Sequence, residues 1–213
     1  LAAVDVPIVP RAQELQPVAQ GIFLWQFYDP TVHADLFATA LETPSGLCLI
    51  DPIPLDRDPM NDLRSRGKVT GIVVTNANHI RAMAEFASTF SVPVFAHHEL
   101  RENPDFANAR WIQDGESISS GLAAIAIDGG PPGEIALYYN EGGGVVVLGD
   151  ALINFEPYGF GLLPAKYCSN PKHMRRSLQK LLDYPFDRML FAHGTPILTG
   201  ARVRLEALLA ANR

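Results

Sequence analysis

Residues 71–83 read GIVVTNANHIRAM, and the fold is decided by how that stretch divides. GIVVTN (71–76) is a continuous apolar run closed by polar residues, the pattern of a strand buried on both faces. Further on the spacing becomes helical: IRAMAEFASTF (80–90) sets Ile80, Met83, Ala84 and Ala87 on one stripe. VPVFA (92–96) reads as the next strand, so 71–96 is a strand–helix–strand unit.

Upstream, GIFLWQFY (21–28) and ADLFATALE (34–42) carry the β-branched and aromatic content of strands. Thr43-Pro44-Ser45-Gly46 is turn chemistry, and Leu47 to Ile50 returns as a strand that stops at Asp51. Residues 1–20 are interrupted by proline and read as an arm or edge segment. Downstream, hairpins are expected over 117–119, 122–127, 134–139 and 145–148. Gly142-Gly143-Gly144 precedes a strand and opens no helix, so it is a hairpin turn and not a phosphate loop. An amphipathic helix (172–182), a strand (188–192) and a closing helix (200–211) complete a mixed α/β (α+β) sandwich, read as one domain over 1–213.

A chain of 213 residues suits one domain and buries roughly 70% of its unfolded surface, so its core needs no staples. The 47% hydrophobic and 19% charged content is that of an ordinary globular protein. With 17 basic against 23 acidic residues the net charge is −6, which repels phosphate backbones and anionic lipid; neither nucleic acid nor membrane is expected as a partner. No run approaches the roughly 20 apolar residues that span a bilayer. The two cysteines, Cys48 and Cys168, are far apart and read as idle thiols in a reducing, cytoplasmic setting. The Pro-rich arm and Trp25 could serve a homodimer contact.

Five points line up in order: Leu49-Ile50-Asp51; Thr75-Asn76-Ala77-Asn78-His79-Ile80-Arg81; the turn Asp128-Gly129-Gly130-Pro131-Pro132-Gly133-Glu134; Leu148-Gly149-Asp150; and Phe191-Ala192-His193-Gly194. This succession resembles the metallo-β-lactamase superfamily, the group that includes hydroxyacylglutathione hydrolases. The resemblance implies a four-layer αββα sandwich with the active site along one sheet edge. It also implies the family's metal ligands: T-H-x-H-x-D-H, the His of P-G-H-T-P-G, the Asp of G-D and a late His-Gly. Those side chains hold two zinc ions that share a hydroxide, which attacks an ester, thioester or amide carbonyl.

Carried over position by position, most of that set is missing. The first two histidines fall on Asn76 and Asn78, the aspartate on Ile80, the next histidine on Arg81 and the loop histidine on Gly130. Only Asp150 and His193 match, so a dinuclear zinc centre of the family type is not expected; no cofactor is expected beyond a single divalent metal that a residual site could take. Arg81 either makes a forked contact with Asp150 or lies along the helix surface in solvent. His79 either ties down its loop or turns inward, joining Asp150 and His193 in a single-metal site or acting as a general base. Asn76 and Asn78 either bind a polar ligand or tie the loop down. Asp51 is read as a structural support of the site. Lys166 and Tyr167 follow the stretch that lines the family's substrate cleft, and are candidates for gripping an anionic substrate.

The leading functional reading is a pseudoenzyme that binds a small molecule at the vestigial site. The alternative is a hydrolase of small esters or thioesters with a mononuclear or metal-free site using Asp150, His193 and His79. A scaffold protein that uses the fold without the pocket is the third class. A serine hydrolase is disfavoured because no G-x-S-x-G elbow is present.

Overall fold

The computed structural model describes residues 10–155 and 159–211. Seven strands form the first sheet in sequence order: β1 (Gln16–Ala19), β2 (Ile22–Asp29), β3 (Ala34–Thr43), β4 (Gly46–Ile50), β5 (Val69–Val73), β6 (Val94–His97) and β7 (Arg110–Ile112). β1 to β4 pair antiparallel, as tight turns between them require, whereas β4 to β7 are parallel. α1 (Arg57–Arg66) and α2 (Met83–Phe90) cross over between β4, β5 and β6. The second sheet contains β8 (Ser117–Ser119), β9 (Leu122–Ala126), β10 (Ile135–Tyr139) and β11 (Val145–Leu148). Its edge is β14 (Arg188–Phe191), parallel to β11. Between these last two strands lie the hairpin β12 (Leu152–Phe155) and β13 (Gly159–Leu162), followed by α3 (Pro171–Leu178); α4 (Ala201–Ala211) closes the chain.

The apolar side chains sort into three cores, and these define the layers. Alternation along β4 sends Leu47 and Leu49 toward Met60, Leu63, Met83 and Phe86 of α1 and α2. Cys48 and Ile50 point the other way, into a middle core with Leu137, Val145, Val147 and Leu190 of the second sheet. In β11, Val146 and Leu148 face outward onto Met174 and Leu178 of α3 and Leu205 and Leu209 of α4. Helix, sheet, sheet, helix is the αββα order expected from the sequence. No helix among the described residues is long and apolar enough to cross a membrane.

Trp25 is buried in the first core and cannot make the expected homodimer contact. It is 1% exposed, donates its indole N–H to the Ile53 carbonyl at 2.9 Å and stacks on Phe86. Of the arm, Ala12 bridges to Leu55 and β1 adds an edge strand; residues 1–9 lie outside the described part.

Candidate functional site

Topology gathers the site on one edge. β4 and β5 are parallel, so Asp51 and Thr75 leave the first sheet at the same end; β11 and β14 are parallel, so Asp150 and His193 do the same in the second. β3 and β10 run oppositely, which brings their starts, Asp35 to Phe37 and Glu134, to that edge. A backbone bond from Phe37 N to Ala192 O (3.0 Å) fastens the two sheets there.

The segment after β5 then sets the chemistry. Asn76 caps a short 3₁₀ turn (Ala77–His79), its Oδ1 accepting from Asn78 N at 2.8 Å. Three residues per turn place Asn76 and His79 on the same face, turned into the protein. Of the two readings of His79, the structure takes the inward one: it is 1% exposed. Its Nδ1 lies 2.8 Å from Asp51 Oδ2 and its Nε2 3.1 Å from Asp150 Oδ1. Burial and the Arg81 charge pull the His79 imidazole down, but Asp150 and Asp51 outweigh them and raise it to about 9. At neutral pH this ring is a cation with both nitrogens donating to carboxylates.

Asp150 receives four donors: His79 Nε2 (3.1 Å) and His193 Nε2 (3.3 Å) at Oδ1, and the amides of Asn76 and Asn78 (3.2 Å each) at Oδ2. Burial alone would raise its pKa; the His79 charge and the hydrogen bonds from His193 and His79 reverse this and hold Asp150 well below the usual carboxylate range. Asp51 also accepts from Thr75 N (2.8 Å) and Thr75 Oγ1 (2.5 Å). It too is lowered: the His79 charge and hydrogen bond overcome its burial.

Arg81 follows neither sequence reading. It makes no ion pair with Asp150 and does not lie in solvent. Half-buried, it donates through Nη1 to the carbonyls of Phe37 (2.8 Å) and Asp51 (3.3 Å), and its Nη2 sits 3.4 Å from His193 Nε2. The forked contact fails because Asp150 already has His79 as counter-ion, while backbone carbonyls at the strand ends need donors. Arg81 and Asp51 both hold positive φ (39° and 48°), a conformation that costs non-glycine residues of order 1–3 kcal/mol and clusters at functional sites.

Sequence reasoning missed Glu134. It is 3% exposed, accepting from Asn76 Nδ2 (2.6 Å) and Ala151 N (2.9 Å). Burial first, then the Asp150 charge, raises it to about 8. An acidic residue opening the otherwise apolar run EIALYY was the available signal. Lys166 and Tyr167 are exposed on a 3₁₀ turn, the ammonium over the ring of its own neighbour at 4.6 Å. Among the described residues neither bonds to the network.

The family's two zinc ions do not fit these side chains. Asn76 and Asn78 present amide N–H groups to Asp150, Ile80 has no donor atom, and Gly130 no side chain. His79, Asp150 and His193 do place one potential ligand atom each within 4.8 Å of one another, the only such group among the described residues. Yet both nitrogens of His79 are spoken for, and a guanidinium that cannot shed its charge stands against the ligating nitrogen of His193.

A sequence profile described as metallo-beta-lactamase superfamily matches residues 18–212, and the chain belongs to that superfamily. Among solved structures it is similar to the DIM-1 metallo-beta-lactamase (16% identity, 96% of this chain and 100% of that one, TM-score 0.74). It is likewise similar to a metallo-beta-lactamase family protein of Thermus thermophilus (22%, 92% and 80%, 0.67) and a metallo-beta-lactamase from Pontibacter korlensis (16%, 94% and 99%, 0.69). At such identities the likeness is one of fold. No curated protein matches the sequence.

Proposed function

We propose that this chain is a pseudoenzyme of its superfamily, a metal-free protein that binds a small polar molecule at the vestigial site. One observation carries the reading: the His79 imidazolium spans Asp51 and Asp150, supplying from the protein the positive charge that buried carboxylates demand. Arg81 supplies a second cation beside His193. The side chains gathered here include no serine or cysteine to attack a carbonyl in place of a metal-activated hydroxide. What faces the outside is a set of hydrogen-bonding groups: the exposed Asn78, the half-buried His193 and Arg81. The two cysteines are free, which supports a reducing, cytoplasmic setting as part of the same proposal.

A titration of the His79 and His193 ring resonances with acetate, lactate and the corresponding amides tests this. Saturable shifts, with no turnover of generic esters and thioesters, are expected. Zinc-dependent turnover abolished by Asp150→Asn would instead establish the hydrolase reading, which the convergence of His79, Asp150 and His193 favours. In that case those three residues hold a single ion, whose chemistry is to lower the pKa of bound water.

A further inference from the structure

The strand ends opposite the site enclose a second feature. The start of β2, the end of β3, the β10–β11 turn and the start of β14 surround a cavity of about 640 Å³, within the range of small-molecule sites. Ile22 and Val145 contribute apolar wall. The floor is the Tyr139 ring, 7% exposed and fixed by donation from its hydroxyl to the Glu42 carbonyl at 2.8 Å. Three charged side chains line the space: Glu42, Glu141 and Arg188.

Glu42 and Glu141 are exposed and Arg188 is half-buried. Among the described residues, none of the three has an ion-pair partner, although cation and anions border one cavity. Arg188 is held on its side by donating to the Gly142 carbonyl. Both carboxylates bear on the Tyr139 hydroxyl: burial first, then Glu141 and Glu42, raise it above the ordinary tyrosine value. Glu42 stands at the tyrosine, whose hydroxyl donates to its carbonyl, and Arg188 at the Gly142 carbonyl, with apolar wall also lining the space.

We propose that this cavity binds a small ω-amino carboxylate, its ammonium between Glu42 and Glu141 over the Tyr139 ring and its carboxylate on Arg188. An ammonium against an aromatic face flanked by carboxylates is favoured by charge and by the ring quadrupole. A guanidinium is the natural partner of the other end. The methylenes between them lie on Ile22 and Val145. The cavity shares no side chain with the site at the other pole, so this proposal stands or falls independently of the function given above.

The test is an amide chemical-shift titration of the whole chain with 6-aminohexanoate, hexylamine and hexanoate. Saturable shifts at Gly21, Thr43 and Gly142 are expected with 6-aminohexanoate. Either half-molecule should bind at least about tenfold more weakly, with a similar loss in Glu141→Gln and in Arg188→Gln, since each removes one of the charge contacts that hold the two ends. Unchanged melting of both variants confirms that they fold. Absence of shifts at tens of millimolar, hexylamine binding as tightly as the zwitterion, or unaltered binding by Arg188→Gln would each overturn it.

Discussion

Nε2 of His79 lies 3.1 Å from Asp150 while Nδ1 of the same ring lies 2.8 Å from Asp51, so one imidazole ties the two sheets together through their strand-end carboxylates. Asp51 directly follows β4 of the first sheet and Asp150 stands two residues beyond β11 of the second.

Removing that ring leaves two buried carboxylates without their counter-ion. His79→Gln should lower unfolding stability by about 3–5 kcal/mol, the cost typical of breaking a buried pair on one side. Urea denaturation measures it; a loss below about 1 kcal/mol, the size of an exposed pair, would mean that the network does not hold the sheets together.

Stability should fall on the alkaline side. His79 stands at about 9 in the fold against 6.5 for a free imidazole, so its contribution is complete below pH 6.5 and is lost as pH rises through 9. Glu134, raised from 4.5 to about 8, acts in the same direction over a lower window. Asp51 and Asp150 are lowered, so they act oppositely, and their contribution disappears only as the solution becomes strongly acidic. Melting temperatures should therefore decline between pH 6.5 and 9, and His79→Gln should flatten the slope by about one proton, ~1.4 kcal/mol per pH unit. A slope unaffected by that substitution would contradict the assignment.

Two features oppose a cation here, the engaged nitrogens of His79 and the guanidinium of Arg81, and the second holds a fixed positive charge 3.4 Å from His193. Arg81→Ala should let the chain take up one zinc ion on His79, Asp150 and His193, with heat and proton release in a calorimetric titration, where the native chain shows neither. Equal uptake by both proteins would remove Arg81 from the argument.

The fold is legible in the sequence because alternation and run length carry it: Leu47 to Ile50 splits between two cores, and residues 71–74, 145–148 and 189–192 read as unbroken apolar runs. α1 carries no such signal, since RDPMNDLRSR buries only Pro59, Met60 and Leu63 and shows little stripe. In the site, the missing ligands are visible and the replacements are not. His79 stands at a spacer position of the family motif, and only the Asn76-capped 3₁₀ turn directs it inward. Arg81 satisfies carbonyl oxygens, which carry no residue signature, and Glu134 meets Asn76 across 58 positions of sequence.

His193 depends on the residue after it. Gly194 has φ 113°, and a Cβ there would come within 2.0 Å of the Asn154 carbonyl oxygen, which accepts from Thr195 N at 2.8 Å. Gly194→Ala should destabilise the protein by at least about 2 kcal/mol, since strained backbone and backbone collision add. It should also displace the His193 ring resonances; a near-neutral melting curve with unmoved resonances would show that the loop adjusts freely.

Metal content tests the central claim most directly. After dialysis against excess zinc and removal of free ion, elemental analysis of the native chain should find no stoichiometric metal, and a chelator should leave its melting temperature unchanged. Two tightly held zinc ions per chain, or one whose removal lowers the melting temperature, would contradict the assignment of His79 and Arg81 as the cations of this site.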